Sequence, residues 1–161
     1  IYVGLDVHKD TITVAVADEG RGDSRVVATI PNTTVALLKQ LQRLGRWENL
    51  RCCYEAGPTG YGLYRSLREK GIACEVIAPS LVPVKAGDRV KTDRRDARKL
   101  ARSHRAGDLT SIYVPDEMTE SMRDLERARD DAKKAEKAVR NQLGKFLLRQ
   151  GRTYDGKTPW T

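Results

Sequence analysis

Four carboxylates stand out by position. Asp6 sits near the end of an apolar run in Gly4-Leu5-Asp6-Val7-His8, and Glu55 ends a second such run in Cys53-Tyr54-Glu55-Ala56-Gly57. An ionised group among apolar neighbours must be paired or bind a cation. Asp93 and Asp96 lie three residues apart in a strongly basic stretch, so on a helix they share one face. Four converging acids cannot all stay ionised without positive charge between them. Two divalent cations about 3.5–4 Å apart, held by oxygen ligands, meet that need in nucleases and polymerases. Hard carboxylate ligands favour magnesium or manganese over zinc.

Each acid taken alone has a plainer reading. A single acid at a strand end is most often a turn or cap residue. Asp93 or Asp96 alone would serve i,i+3 or i,i+4 ion pairs with Arg94, Lys99 or the arginines nearby. Asp10, Asp18, Asp23 and Asp88 fit such roles. His8 and His104 are candidate ligands or proton carriers, but nothing pairs them with a nucleophile, and a polar surface position is the default for both. Gly57-Pro-Thr-Gly-Tyr-Gly lacks the Gly-Lys-Ser/Thr ending of a phosphate loop and reads as a sharp turn beside Glu55.

The elements that must position these residues follow from hydrophobic patterning. Tyr2–Val7, Thr11–Ala17 and Arg25–Ile30 read as three strands joined by short turns, an antiparallel meander. A helix starting near Thr33 and closed by Gly45 carries Val35, Leu37, Leu38, Leu41 and Leu44 on one side. Arg51–Glu55 is a fourth strand, Tyr61–Lys70 a helix closed by Gly71, and Ala73–Ala78 a fifth strand stopped by Pro79. Ser80–Val90 reads as a loop, and Thr92 caps a helix to about Ala106. From Pro115-Asp116-Glu117 a long helix runs to about Arg149. Its stripe is thin and Ala-rich: Met118, Met122, Leu125, Ala128, Ala132, Ala135, Val139, Leu143 and Phe146/Leu147. Pairing with another helix as a coiled coil and packing onto the domain are equal readings of that stripe. The order β-β-β-α-β-α-β-α is that of a ribonuclease H-like α/β fold, a mixed sheet with flanking helices. If the first and fourth strands are adjacent, Asp6 and Glu55 emerge at one sheet edge.

Composition narrows the partners. The 161 residues are 39% hydrophobic and 32% charged, too apolar for a disordered chain and too polar for a membrane protein. No run approaches the roughly 20 apolar residues that span a bilayer, and no signal or transit segment is visible. Cys52, Cys53 and Cys74 fit no zinc spacing. Neighbours on a strand face opposite ways, so these thiols read as small buried hydrophobes in a reducing cytosol. The net charge of +8 is concentrated: residues 85–110 hold 9 basic and 4 acidic side chains, whereas residues 1–84 hold 10 and 9. That excess favours a phosphate-rich partner over a plain solvated face. Lys85, Arg89, Lys91, Arg94, Arg95, Arg98, Lys99 and Arg102 are the candidate nucleic-acid contacts.

Three ordered motifs resemble a known family. Tyr2-Val-Gly-Leu-Asp-Val-His-Lys, Tyr54-Glu-Ala-Gly-Pro-Thr-Gly-Tyr-Gly-Leu and Lys91-Thr-Asp-Arg-Arg-Asp-Ala-Arg-Lys-Leu-Ala look like the DEDD-type insertion-sequence transposases, which include the pilin gene-inverting recombinases. The resemblance spans essentially the whole chain. It implies a RuvC-like domain over residues 1–114, with the family's acidic tetrad falling on Asp6, Glu55, Asp93 and Asp96 as catalytic residues and ligands of Mg²⁺ or Mn²⁺. It implies that residues 115–161 begin a coiled coil leading to a carboxy-terminal transposase domain, with homo-oligomers formed through the 116–149 helix. The family's activity is insertion, excision or inversion of DNA in the prokaryotic cytoplasm, at the nucleoid. Its insertion-sequence members use an element-encoded bridging RNA. The family's nucleophile is a serine of the carboxy-terminal domain, and none of Ser24, Ser66, Ser80, Ser103, Ser111 or Ser121 sits in a matching motif.

The chain starts at Ile1, already strand-like, and stops mid-pattern at Lys157-Thr-Pro-Trp-Thr, so it is expected to be a piece of a longer protein. Two other functions remain open: a non-catalytic module for nucleic-acid binding and dimerisation, with the acids serving structure only, and a stand-alone nuclease of the Holliday-junction type.

Overall fold

The computed structural model describes residues 1–83 and 92–157. Three short-turn strands, β1 (Tyr2–Val7), β2 (Thr11–Ala17) and β3 (Arg25–Pro31), form the antiparallel meander, with Leu5 opposite Val14 and Val14 opposite Ala28. The β2–β3 register shifts between Val14 and Ala15, a bulge that the alternating pattern did not announce. After helix α1 (Thr34–Gln42), β4 (Arg51–Glu55) returns parallel to β1. After helix α2 (Gly62–Glu69), β5 (Ala73–Ile77) pairs parallel to β4. The sheet order β3-β2-β1-β4-β5 is that of the ribonuclease H-like α/β fold, with β1 at its centre.

The two faces of the sheet bury different side chains. On one, Val3, Leu5, Ile12, Val14, Val16, Cys52, Tyr54, Cys74 and Val76 pack with Leu37 and Leu41 of α1 and Leu67 of α2. Each fully buried Leu or Ile contributes roughly 1.5–3 kcal/mol relative to exposure. The other face takes helix α3 (Asp93–Ala106): Ala15 and Ala17 meet Ala97 and Ala101, and Cys53 and Ile77 meet Leu100 and Val82. Small residues dominate there, which lets helix and strand backbones approach closely. Cys52 and Cys53 lie in opposite layers, and all three cysteines are free and buried, as the strand alternation required.

Caps set the helix ends. The Thr33 and Thr92 side chains accept hydrogen bonds from Ala36 N (3.2 Å) and Arg95 N (3.4 Å), starting α1 and α3. Gly107, with φ at 78°, ends α3 in the left-handed conformation that glycine adopts most readily. The sequence reading missed two single turns of 3₁₀ helix, Trp47–Asn49 and Pro79–Leu81, because three residues carry no periodicity.

Residues Ile1–Val114 and Pro115–Thr161 separate into two compact units. The second contains helix α4 (Glu117–Arg149), whose cap Asp116 accepts from Thr119 N at 2.7 Å. Ion pairs Arg127–Asp124, Lys134–Asp131 and Arg140–Glu136 run along it. None of its side chains is buried: Met118, Met122, Leu125, Val139, Leu143 and Phe146 all remain exposed. Among the described residues, no helix is long and apolar enough to cross a membrane.

Candidate functional site

Tyr2, Gly4 and Asp6 share the face of β1 that meets α3. Three contacts fix how the helix lies on it. The His104 ring packs edge-on to Tyr2 with centroids 5.4 Å apart. Gly4 lies under the backbone at Ala97 and Ala101. Asp93 reaches the His8 side chain beside Asp6. The helix therefore runs antiparallel to the strand. The spans agree, since Asp93 to His104 rises about 16 Å and Tyr2 to Asp6 about 13 Å. This path delivers the first turn of α3, with Asp93 and Asp96, to the carboxyl end of β1.

Glu55 arrives there by register. Leu5 pairs with Tyr54, so Asp6 and Glu55 are the next residues on adjacent parallel strands. Cys53 faces α3, its Sγ 3.9 Å from the Leu100 carbonyl oxygen, and Glu55, two residues on, shares that face. The four acids thus come from two strand ends and one helix start, elements separated by up to about 90 residues of chain.

Within this group the ligand atoms of Asp6, His8 and Asp93 lie within 4.8 Å of one another. His8 Nε2 is 3.1 Å from Asp6 Oδ2 and 3.4 Å from Asp93 Oδ1. Asp6 is partly buried, and burial raises its pKa above the ordinary carboxylate value. His8 opposes that rise by charge and hydrogen bonding, while the charges of Asp93 and Asp96 add to it. Two carboxylates and an imidazole, with a third carboxylate close enough to be felt, make a donor set suited to a divalent cation. The positive charge would relieve the repulsion that now bears on Asp6.

Of the two histidines, His8 keeps the expected surface position and His104 departs from it. His8 is exposed but bridges two acids. The His104 side chain is only 9% exposed, because the Tyr2-facing side of α3 buries it, with Nε2 3.7 Å from Glu75 Oε1. His8 was visible in sequence as a neighbour of Asp6, but its approach to Asp93 depends on the path of α3.

The basic residues divide by what they touch. Arg98 Nε donates to the Ser24 carbonyl at 2.8 Å and its guanidinium lies 4.0 Å from Asp23, tying the β2–β3 turn to α3. Arg105, which the charge argument passed over, donates to the carbonyls of Asp18 (3.1 Å) and Gly22 (2.5 Å) in the same turn. Arg94 and Arg95 are exposed, and Lys99 and Arg102 half-buried. Lys85, Arg89 and Lys91 lie outside the described residues, as does Asp88.

Comparison with known proteins identifies relatives of the chain. Residues 3–150 match the family model DEDD, IS110 type, described as "Transposase". The chain is 48% identical to a protein of Sinorhizobium fredii (strain NBRC 101917 / NGR234) named "Putative transposase y4qE", over 99% of this chain and 42% of that protein. It is 40% identical to the transposase for insertion sequence element IS1533 of Leptospira borgpetersenii, over 93% of this chain and 44% of that protein. The chain spans less than half the length of these two relatives.

Proposed function

The chain belongs to the DEDD transposase family of IS110 type, and from that premise we propose that it is the cation-binding part of a recombinase that cleaves and joins DNA strands. The observation that carries the reading is the convergence of Asp6 and Asp93, from the centre of the sheet and the start of α3, onto ligand atoms within 4.8 Å of one another. Asp6, Glu55, Asp93 and Asp96 are the residues assigned to hold Mg²⁺ or Mn²⁺. The bound ion would supply charge neutralisation and Lewis-acid polarisation at a phosphodiester. The carboxylates fix its position, and the helix start places two of them where backbone N–H groups favour anionic side chains.

Arg94, Arg95, Lys99 and Arg102 on α3 supply phosphate contacts beside the acids, and Lys85, Arg89 and Lys91 of the preceding sequence add to them, as does Arg98, which also ties the β2–β3 turn to α3. An element-encoded RNA is the proposed source of sequence selection. Residues 1–114 form the RuvC-like catalytic domain in this reading, and residues 115–161 lead toward a further domain that carries the nucleophile. The exposed stripe of α4 supports assembly of homo-oligomers through the 116–149 helix. The setting is the prokaryotic cytoplasm, at the nucleoid.

Calorimetry tests the site. Wild-type chain is expected to bind Mg²⁺ or Mn²⁺, and the double variant Asp6→Ala, Glu55→Ala to lose that heat. Indistinguishable traces would remove the cation site and leave a nucleic-acid module whose acids serve structure only. Metal-dependent nicking of branched DNA by this chain alone would instead favour a stand-alone nuclease.

A further inference from the structure

We propose that His8 is a direct ligand of the cation held by Asp6 and Asp93, and that its imidazole turns this centre toward Mn²⁺ and away from Mg²⁺. The inference rests on the cation-site reading above and deepens it by assigning a nitrogen donor that the acidic tetrad does not contain.

Three observations carry it. The first is spacing. Ligands about 2.1 Å from a small divalent ion stand about 3.0 Å apart at right angles and about 3.4 Å apart at tetrahedral angles. His8 Nε2 stands 3.1 Å from Asp6 Oδ2 and 3.4 Å from Asp93 Oδ1. The second is valence. A single ring nitrogen carries one proton or one lone pair, yet carboxylate oxygens from two different elements converge on this one. Of the two acids, a hydrogen bond is made to Asp6 alone, and an ion shared by all three atoms also accounts for the approach of Asp93.

The third is the backbone that holds the ring. His8 N donates to Thr11 O at 2.9 Å, closing the β1–β2 turn. Asn32, just past β3, donates its side-chain amide to the carbonyls of His8 (2.7 Å) and Lys9 (3.4 Å), while its own backbone N–H donates to Asp10 O (2.9 Å). These bonds fix the main chain from which the ring projects, and a ligand must be held near its working geometry.

The metal preference follows from the donor set. Mg²⁺ demands near-ideal octahedral oxygen coordination and gives up its waters reluctantly. Imidazole suits later and softer first-row ions, and Mn²⁺ accepts carboxylate oxygen as readily as Mg²⁺ does. Two carboxylates plus one imidazole therefore suit Mn²⁺ better than a purely carboxylate set would.

The experiment uses the 161-residue chain and Mn²⁺ itself as the probe. Electron spin-echo modulation of bound Mn²⁺ is expected to show coupling to a directly ligated imidazole nitrogen. The chain has only two histidines, so loss of that coupling in His8→Ala identifies the ligand. His8→Ala is also expected to weaken Mn²⁺ by about tenfold or more, the scale of a disturbed metal shell, and Mg²⁺, read by competition, by less than about threefold. His8→Asp, which makes the set all-oxygen, is expected to recover Mg²⁺ binding preferentially. Absence of nitrogen coupling in the wild type, or equal losses of Mn²⁺ and Mg²⁺ in His8→Ala, overturns the proposal. Asp6→Asn separates the two levels. If it releases Mn²⁺ while His8→Ala retains it, the histidine assignment alone fails. If it binds Mn²⁺ as tightly as the wild type, the cation site fails and the assignment falls with it.

Discussion

Gly4 and Ala101 face each other across the sheet–helix interface with no room for a methyl group between them. A Cβ on Gly4 would run into the Ala101 backbone nitrogen and the Ala97 carbonyl oxygen, with Leu100 Cβ at 2.9 Å. Glycine in a strand interior weakens the strand unless something approaches closely, and here the approaching group is the backbone of α3. That contact sets the height of the helix over β1, and with it the distance from Asp93 to Asp6.

Replacing Gly4 with Ala should therefore cost more than an ordinary core overpacking, about 3 kcal/mol or more where 1–3 is typical. The obstruction is backbone on both sides, so no rotamer change relieves it. Urea unfolding would read the loss as a lower midpoint with an unchanged slope. A variant as stable as the wild type would mean that the helix can lift without penalty.

Asp6 supplies a pH prediction with an unusual sign. Burial, with Asp93 and Asp96 adding, raises its folded-state pKa against the opposing effect of His8. The folded chain therefore binds a proton there more tightly than the unfolded chain does. The resulting penalty is absent below the unfolded pKa of about 3.9 and fully present above the raised folded value. In chelator, Asp6→Asn should unfold at a higher temperature than the wild type at pH 7, and the gap should close as pH falls toward 4. A destabilised Asp6→Asn at pH 7 would show that the His8 contact outweighs burial.

The arginines of α3 should separate into two groups. Arg98 holds the β2–β3 turn through Ser24 O, so Arg98→Ala should lower thermal stability. Arg94 is exposed at the start of the helix, and Lys99 half-exposed one turn along. Changing both to Ala should leave stability nearly unchanged and reduce the slope of log affinity for duplex DNA against log salt by roughly one to two. An unchanged slope would return these residues to a solvated face.

Much of this arrangement was legible in the sequence, for identifiable reasons. Strong alternation in Thr11–Ala17 and short apolar runs ending in Asp6 and Glu55 marked the strands, and Thr92 and Gly107 bracket α3 with ordinary cap chemistry. The adjacency of β1 and β4, which puts Asp6 and Glu55 at one sheet edge, is only a condition in the sequence and is met by the observed pairing. What the pattern lacked was the direction of α3 across the sheet. That direction shows in which groups meet across the interface, Tyr2 with His104, Gly4 with Ala97 and Ala101, and His8 with Asp93, and hydrophobic period does not encode it. His8 is exposed as expected, whereas His104, eleven residues along α3 from the Asp93 that reaches His8, is buried against the surface expectation. One end of the helix places Asp93 beside His8, and the other buries His104 against Tyr2.

His104 makes the second consequence testable apart from any cation. Its pKa is lowered chiefly by burial, with the Arg51 charge adding and Glu75, by charge and hydrogen bonding, opposing. The folded state thus favours the neutral ring, and its Nδ1 is buried without a hydrogen-bond partner among the described residues. Below the unfolded pKa of about 6.5 the unfolded chain gains a proton that the folded chain resists. Stability contributed by the neutral ring is complete above that pH and is lost as pH falls through the window down to the lowered folded value. A His104→Phe variant keeps an aromatic edge for Tyr2 and removes the titration. Its melting temperature should fall less steeply than that of the wild type between pH 7 and pH 5, in chelator so that the acidic centre stays metal-free. Glu75→Gln should act in the opposite sense and steepen the wild-type loss, because it removes the charge that supports the protonated ring. Parallel pH profiles for wild type and His104→Phe would show that the ring titrates alike in both states, and that burial against Tyr2 leaves its proton affinity untouched.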